Sequence, residues 1–230
     1  MHVEIHKAQD RGKSDIDWLK TRYSFSFADY YHPQRLGFGK LLVLNDDIIA
    51  PGKGFPAHSH QNMEIITIVI KGELAHQDST GGKGVIKPGE VQVMSAGTGV
   101  RHSEFNNSKT EPVELFQTWI LPKKQNIKPR YDQTKYQLKP NIPTVLASNK
   151  GIGLHIEQDA AVSLLELEKT KSITLALAKN HGAYVFVVEG DITVADENLK
   201  NRDALAITQT TSYSITATKN SKLILFDVPI

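Results

Sequence analysis

The chain has 230 residues, room for one large domain or two small ones at about 150 residues per domain, and 40% apolar with 23% charged residues exclude a disordered or low-complexity chain. The absence of cysteine excludes disulfides, iron–sulfur clusters, thiolate zinc sites and cysteine nucleophiles, so any metal must be held by His, Asp or Glu. With 27 basic and 25 acidic residues, a net charge of +2 and no block of five like charges, nucleic acid is not an expected partner and small molecules are.

The first residues, MHVEIHKAQDRGKSDID, carry no apolar leader-like run, and the longest aliphatic stretch, Ile65 to Ile70, is far too short to span a membrane. A cytoplasmic protein without a membrane partner is expected. Asp15 to Arg22 is expected to form a short helix, with Asp15 capping a turn before Trp18 and Leu19. From Gly37 onward short apolar runs are punctuated by Gly, Pro, Asn and Asp, as in KLLVLNDDIIAPG, MEIITIVIKG and VELFQTWILP. That spacing predicts an all-β chain of antiparallel sandwiches or barrels with few short helices.

Residues 122–148 are rich in Pro, Lys, Gln and Asn and lack apolar periodicity, which predicts a linker whose Lys123, Lys124 and Lys128 are solvated. A second β-rich stretch follows. Its GAYVFVVEGDITV resembles MEIITIVIKGELAH, with Gly190 standing where Gly72 stood, so the chain reads as an internal duplication. Sliding the halves together on these glycines sets Ala176, Ala178 and Gly182 against His58, His60 and Glu64, and leaves His155 and His181 isolated. A metal site is therefore expected in the first half alone, with the second barrel as packing partner and lid.

The chemistry concentrates in two short motifs, His58-Ser59-His60 and His102-Ser103-Glu104. Alternate residues of a strand share a face, so each pair aims two ligating atoms the same way, and two such strands can surround one ion. Four nitrogen and oxygen ligands leave vacancies on an ion that prefers five or six, as a catalytic site requires. Glu64 lies an even number of residues from both His58 and His60, so strand parity leaves it open as an alternative carboxylate. His76 is expected to hydrogen-bond Asp78. Phe25, Phe27, Phe38, Phe55, Met63, Phe105 and Phe116 are candidates for a cavity wall, whereas Trp18 and Trp119 read as packing residues.

Gly52-x5-His58-x-His60-x3-Glu64 followed by Gly72 resembles the first cupin motif. Pro88-Gly89-Glu90 with the run Ser95 to Glu104 resembles the second motif as it is written in the pirin family. The resemblance extends to FSFADY at 25–30, LNDD at 44–47 and HQDS at 76–79, and covers most of residues 18–121. It implies a bicupin, two β-sandwich (jelly-roll) barrels in one chain: an N-terminal cupin barrel at 1–121 with the metal site, a linker at 122–148 and a C-terminal barrel at 149–230 without ligands.

For the site the resemblance implies one divalent transition-metal ion on His58, His60, His102 and Glu104, with iron favoured and copper, nickel, manganese, cobalt or zinc acceptable. It places the carboxylate in the second motif, at Glu104, and leaves Glu64 a structural part. The implied activity is that of a quercetin 2,3-dioxygenase in a monomer, with an aromatic substrate and dioxygen as partners and Glu104 as the catalytic base. The alternative is a metal-dependent or redox-sensitive co-regulator module, which wants a basic face or interaction tail that this sequence does not display.

Overall fold

A computed structural model describes residues 1–230, folded as two β-sandwich barrels. In the first barrel a seven-stranded sheet runs in the order Arg130–Lys135, Glu90–Ser95, Glu64–Lys71, Val113–Ile120, Leu41–Ile49, Leu19–Tyr23 and Gly12–Ile16. It faces a four-stranded sheet ordered Gly54–His60, Val100–Asn106, Leu74–Asp78 and Lys83–Ile86. The second barrel repeats the plan. Its seven-stranded sheet has His181–Glu189, Ser221–Pro229 and Ala161–Leu167 at its centre, and its four-stranded sheet runs Ser172–Ala176, Ser212–Ala217, Ile192–Val194, Glu197–Leu199.

The duplicated glycines do the same work in both halves. Gly72 (φ +78°) and Gly190 (φ +98°) turn the chain from the large sheet into the small one. A Cβ on Gly72 would lie 2.6 Å from the Pro112 carbonyl oxygen, and one on Gly190 2.5 Å from that of Asn220. Both the left-handed φ and the close backbone approach therefore require glycine.

The large sheets of the two barrels pack on each other through 25 buried apolar residues, among them Phe25, Phe38, Phe116, Tyr184, Phe186 and Phe226. Asp46 ties the barrels at the rim: its Oδ2 accepts from Arg11 Nη1 at 3.2 Å and Arg202 Nε at 2.8 Å. Arg11 lies over the Phe186 ring and Arg202 over the Phe116 ring, so each guanidinium covers an aromatic of the shared core.

Three sequence expectations need correction. Asp15 to Arg22 is a β-hairpin, Gly12–Ile16 with Leu19–Tyr23, because Leu19, Thr21 and Tyr23 alternate inward with period two and bury their side chains in the sandwich. Helical structure is limited to one 3₁₀ turn at Ala8–Asp10. The sheets also cross the expected division of the chain at its margins. His2–His6 pairs with Ala204–Thr208 in the second barrel, and Arg130–Lys135, within the expected linker, pairs with Glu90–Ser95 in the first.

Candidate metal centre and cavity

His58 and His60 lie on Gly54–His60, and His102 and Glu104 on its antiparallel neighbour Val100–Asn106, where His102 stands opposite His58. The register then slips: Glu104 stands opposite Phe55, so Gly54–His60 carries one extra residue around Pro56 and Ala57. Such a bulge re-aims side chains locally, and proline is tolerated there because no ladder donor is needed. The ring centroids of His58, His60 and His102 are 4.4–4.9 Å apart. Each ring brings a nitrogen within 4.8 Å of the other two.

Glu104 joins a second trio, with His76 and His102, whose ligating atoms also lie within 4.8 Å of one another. The four residues singled out by the sequence thus form two overlapping groups that share His102, and all four border one cavity. Glu64 does not border it. It lies buried beside Ile65, on the opposite face of its strand, and accepts from the Ser95 hydroxyl at 2.7 Å.

Hydrogen bonds fix which ring nitrogen is free. Asp78 Oδ1 accepts from the Thr80 and Gly82 amides and the Thr80 hydroxyl, and Oδ2 accepts from His76 Nε2 at 3.0 Å. Burial pushes the Asp78 carboxyl up, but these hydrogen bonds outweigh it and hold the group below its usual range. His76, kept neutral by burial, spends its one N–H on Asp78, so its Nδ1 is an acceptor. His102 Nδ1, 3.5 Å away, donates to it, which leaves the lone pair on His102 Nε2. That atom is buried with no partner in the protein. His58 is set the same way, by Nδ1–H donating to the Pro56 carbonyl at 2.9 Å.

Glu104 is oriented by a parallel chain. Gln92 Nε2 donates to Thr67 Oγ1 at 3.5 Å, the Thr67 hydroxyl donates to Gln117 Oε1 at 3.0 Å, and Gln117 Nε2 donates to Glu104 Oε2 at 2.9 Å. Burial raises the Glu104 carboxyl to about 7. Burial, reinforced by the neighbouring imidazoles, lowers His60 to about 4 and His102 to about 3, so both rings are neutral and carry lone pairs at physiological pH. An orphaned buried nitrogen, three clustered imidazoles and an adjacent carboxyl group form a donor set that fits a divalent ion with nitrogen and oxygen preference.

The cavity is about 460 Å³, within the usual range for small-molecule sites. Ile16, Leu19, Phe27, Phe55, Ile65 and Trp119 form its apolar walls. Of the seven aromatic and methionine candidates, only Phe27 and Phe55 border it. Phe25, Phe38 and Phe116 belong to the core between the barrels, Met63 packs on Ile65 and its neighbours, and Phe105 is 39% exposed. Trp119, expected to serve packing alone, sits edge-on to His60 at 4.8 Å and borders the cavity. Thr67, Gln92 and Gln117 were missed by the sequence reading. Their available signal was a polar residue at the inward position of three otherwise apolar strands.

The Pirin family profile matches residues 4–120, and the profile described as the quercetinase C-terminal cupin domain matches residues 145–228. Quercetin 2,3-dioxygenase of Escherichia coli (strain K12) is 40% identical over 228 residues, 99% of either chain. The crystal structure of YhhW from Escherichia coli superposes with a TM-score of 0.96 at 38% identity, covering 100% of this chain and 99% of that one. The crystal structure of bacterial pirin YhhW in complex with nickel(II), also from Escherichia coli, gives 0.94 at 38% identity, covering 99% of both.

Proposed function

The chain belongs to the pirin family, and on that premise we propose that it is a metal-dependent dioxygenase that cleaves a flavonol such as quercetin with dioxygen. Both oxygen atoms enter the product and carbon monoxide leaves. The observation that supports this reading is that His58, His60 and His102 bring ring nitrogens within 4.8 Å of one another, with Glu104 as close to His102, and that all four border a cavity of about 460 Å³.

His58, His60 and His102 hold the ion through neutral imidazole nitrogens, with Glu104 as the fourth ligand. Bound there, a divalent transition ion supplies the charge that keeps an enol as its anion and makes it reactive toward dioxygen. Glu104 takes the hydroxyl proton. Its Oε2 is held by Gln117 Nε2 at 2.9 Å, which fixes the carboxyl group at the cavity wall. Asp78 and His76 hold the His102 ring, and the apolar walls exclude water from the electron-rich substrate.

The test measures oxygen-dependent loss of quercetin absorbance together with carbon monoxide released, on metal-loaded protein. Activity is expected to need the metal and to vanish in the His58→Ala/His102→Ala double variant. Equal turnover in that variant, or turnover insensitive to a chelator, overturns the reading.

A further inference from the structure

Facing the histidines across the cavity, the seven-stranded sheet presents three polar side chains that the metal site leaves unused. Thr21 pairs with Asp47 across adjacent strands, and Asn45 lies two residues before Asp47 on the same face. They are 1%, 4% and 4% exposed for Thr21, Asn45 and Asp47. Thr21 Oγ1 is fully buried against the Asp47 carboxyl, and Asn45 Oδ1 is fully buried with no hydrogen-bond partner in the protein. Leaving such a group unpaired opposes folding, so a polar guest at this wall has a partner waiting for it.

The chemistry of that guest can be read from the set. Asn45 Oδ1 is an acceptor and needs a donor, Thr21 offers both roles, and Asp47 is a carboxyl. No Lys or Arg borders the cavity and Asp47 does, so the wall opposite the histidines offers no cation to a carboxylate or phosphate. A neutral hydroxyl matches this set: its one proton goes to Asn45 Oδ1 or to Asp47, and its oxygen accepts from Thr21. Burial pushes the Asp47 carboxyl up to about 7, which lets it donate as well as accept. The apolar residues that also line the cavity, Phe27, Phe55 and Trp119 among them, suit an aromatic ring carrying that hydroxyl.

We propose that Thr21, Asn45 and Asp47 form a hydroxyl-binding subsite that selects aromatic enols bearing at least one further ring hydroxyl, remote from the one at the metal. The subsite rests on the dioxygenase reading for the orientation of the guest, with its enol at the histidines and its second hydroxyl at the opposite sheet.

The experiment is calorimetric binding without dioxygen, on nickel(II)-loaded protein, of quercetin and of 3-hydroxyflavone, which lacks the additional hydroxyls. Wild type is expected to bind quercetin about tenfold more tightly, the scale set by buried groups left unpaired. Asp47→Leu and the near-isosteric Thr21→Val bring the ratio toward one by weakening quercetin alone, and Asp47→Asn restores part of it. Metal content equal to wild type verifies that each variant is intact. A wild-type ratio near one, or a ratio that Asp47→Leu and Thr21→Val both leave unchanged, overturns the subsite and leaves the dioxygenase reading standing. Failure of wild type to bind either flavonol overturns both.

Discussion

The two barrels share a topology and differ in what fills them. Inside the second barrel, 16 buried apolar residues form one continuous cluster. Inside the first, the apolar residues split into clusters of seven and four. Corresponding rows across the two large sheets show the cause. Tyr23, Asn45, Gln117, Thr67 and Gln92 are successive partners in the first barrel. The row through Val185, which stands five residues before Gly190 as Thr67 stands before Gly72, reads Ser163, Leu225, Val185 and Leu205. The small sheets differ likewise. Where the first carries His58, His60, His102 and Glu104, the matching strands of the second turn Ile173, Leu175, Tyr213 and Ile215 toward the core. A single fold thus yields a solid barrel or a hollow, histidine-lined one according to whether one transverse row and one strand pair are apolar or polar.

The contrast can be broken most severely at the proposed ligands. His102→Ala is expected to lower divalent-metal affinity on the order of 1,000-fold, beyond the loss seen for residues that merely support a ligand, as read by calorimetry. The corresponding truncation in the solid barrel, Ile215→Ala, is expected to cost about 3 kcal/mol of stability by leaving a cavity. Metal affinity should stay at the wild-type value. Loss of metal binding in Ile215→Ala with intact secondary structure would contradict the division of roles.

A milder exchange sharpens the comparison of the rows. Val185→Thr places a hydroxyl in the solid core without a partner and is expected to cost about 2 kcal/mol in denaturant unfolding. The smallest effect expected is at Glu104. In metal-free protein at pH 8 the buried carboxylate is ionised against a raised pKa of about 7, so Glu104→Gln should raise the melting temperature by about 3 °C. A group with a raised carboxyl pKa destabilises the fold above that pKa and ceases to do so as pH falls toward its unfolded value. The advantage of the variant should therefore shrink on going from pH 8 to pH 5, and with metal bound at pH 8 the order should reverse.

Sandwich architecture and duplication were legible because alternation and turn residues are local signals, repeated strand by strand. The four candidate ligands were legible for the same reason, each pair lying two residues apart in one strand. What escaped is non-local. Residues 2–6 find their partners far along the chain, in 204–208, and no local pattern announces it. The hairpin at 12–23 is not legible locally, because its apolar positions are few and the deciding factor is burial of Leu19, Thr21 and Tyr23 against a sheet formed elsewhere. Gln92, Thr67 and Gln117 come from three separate strands, and only the sheet register makes them a chain leading to Glu104.

The most direct test is anomalous diffraction from crystals of the nickel(II)-loaded protein. One peak per chain is predicted, at about 2.1 Å from nitrogens of His58, His60 and His102 and an oxygen of Glu104, with none in the second barrel. A peak whose shell lacks the three imidazoles, or a second peak of equal height between the sheets of the C-terminal barrel, would contradict it.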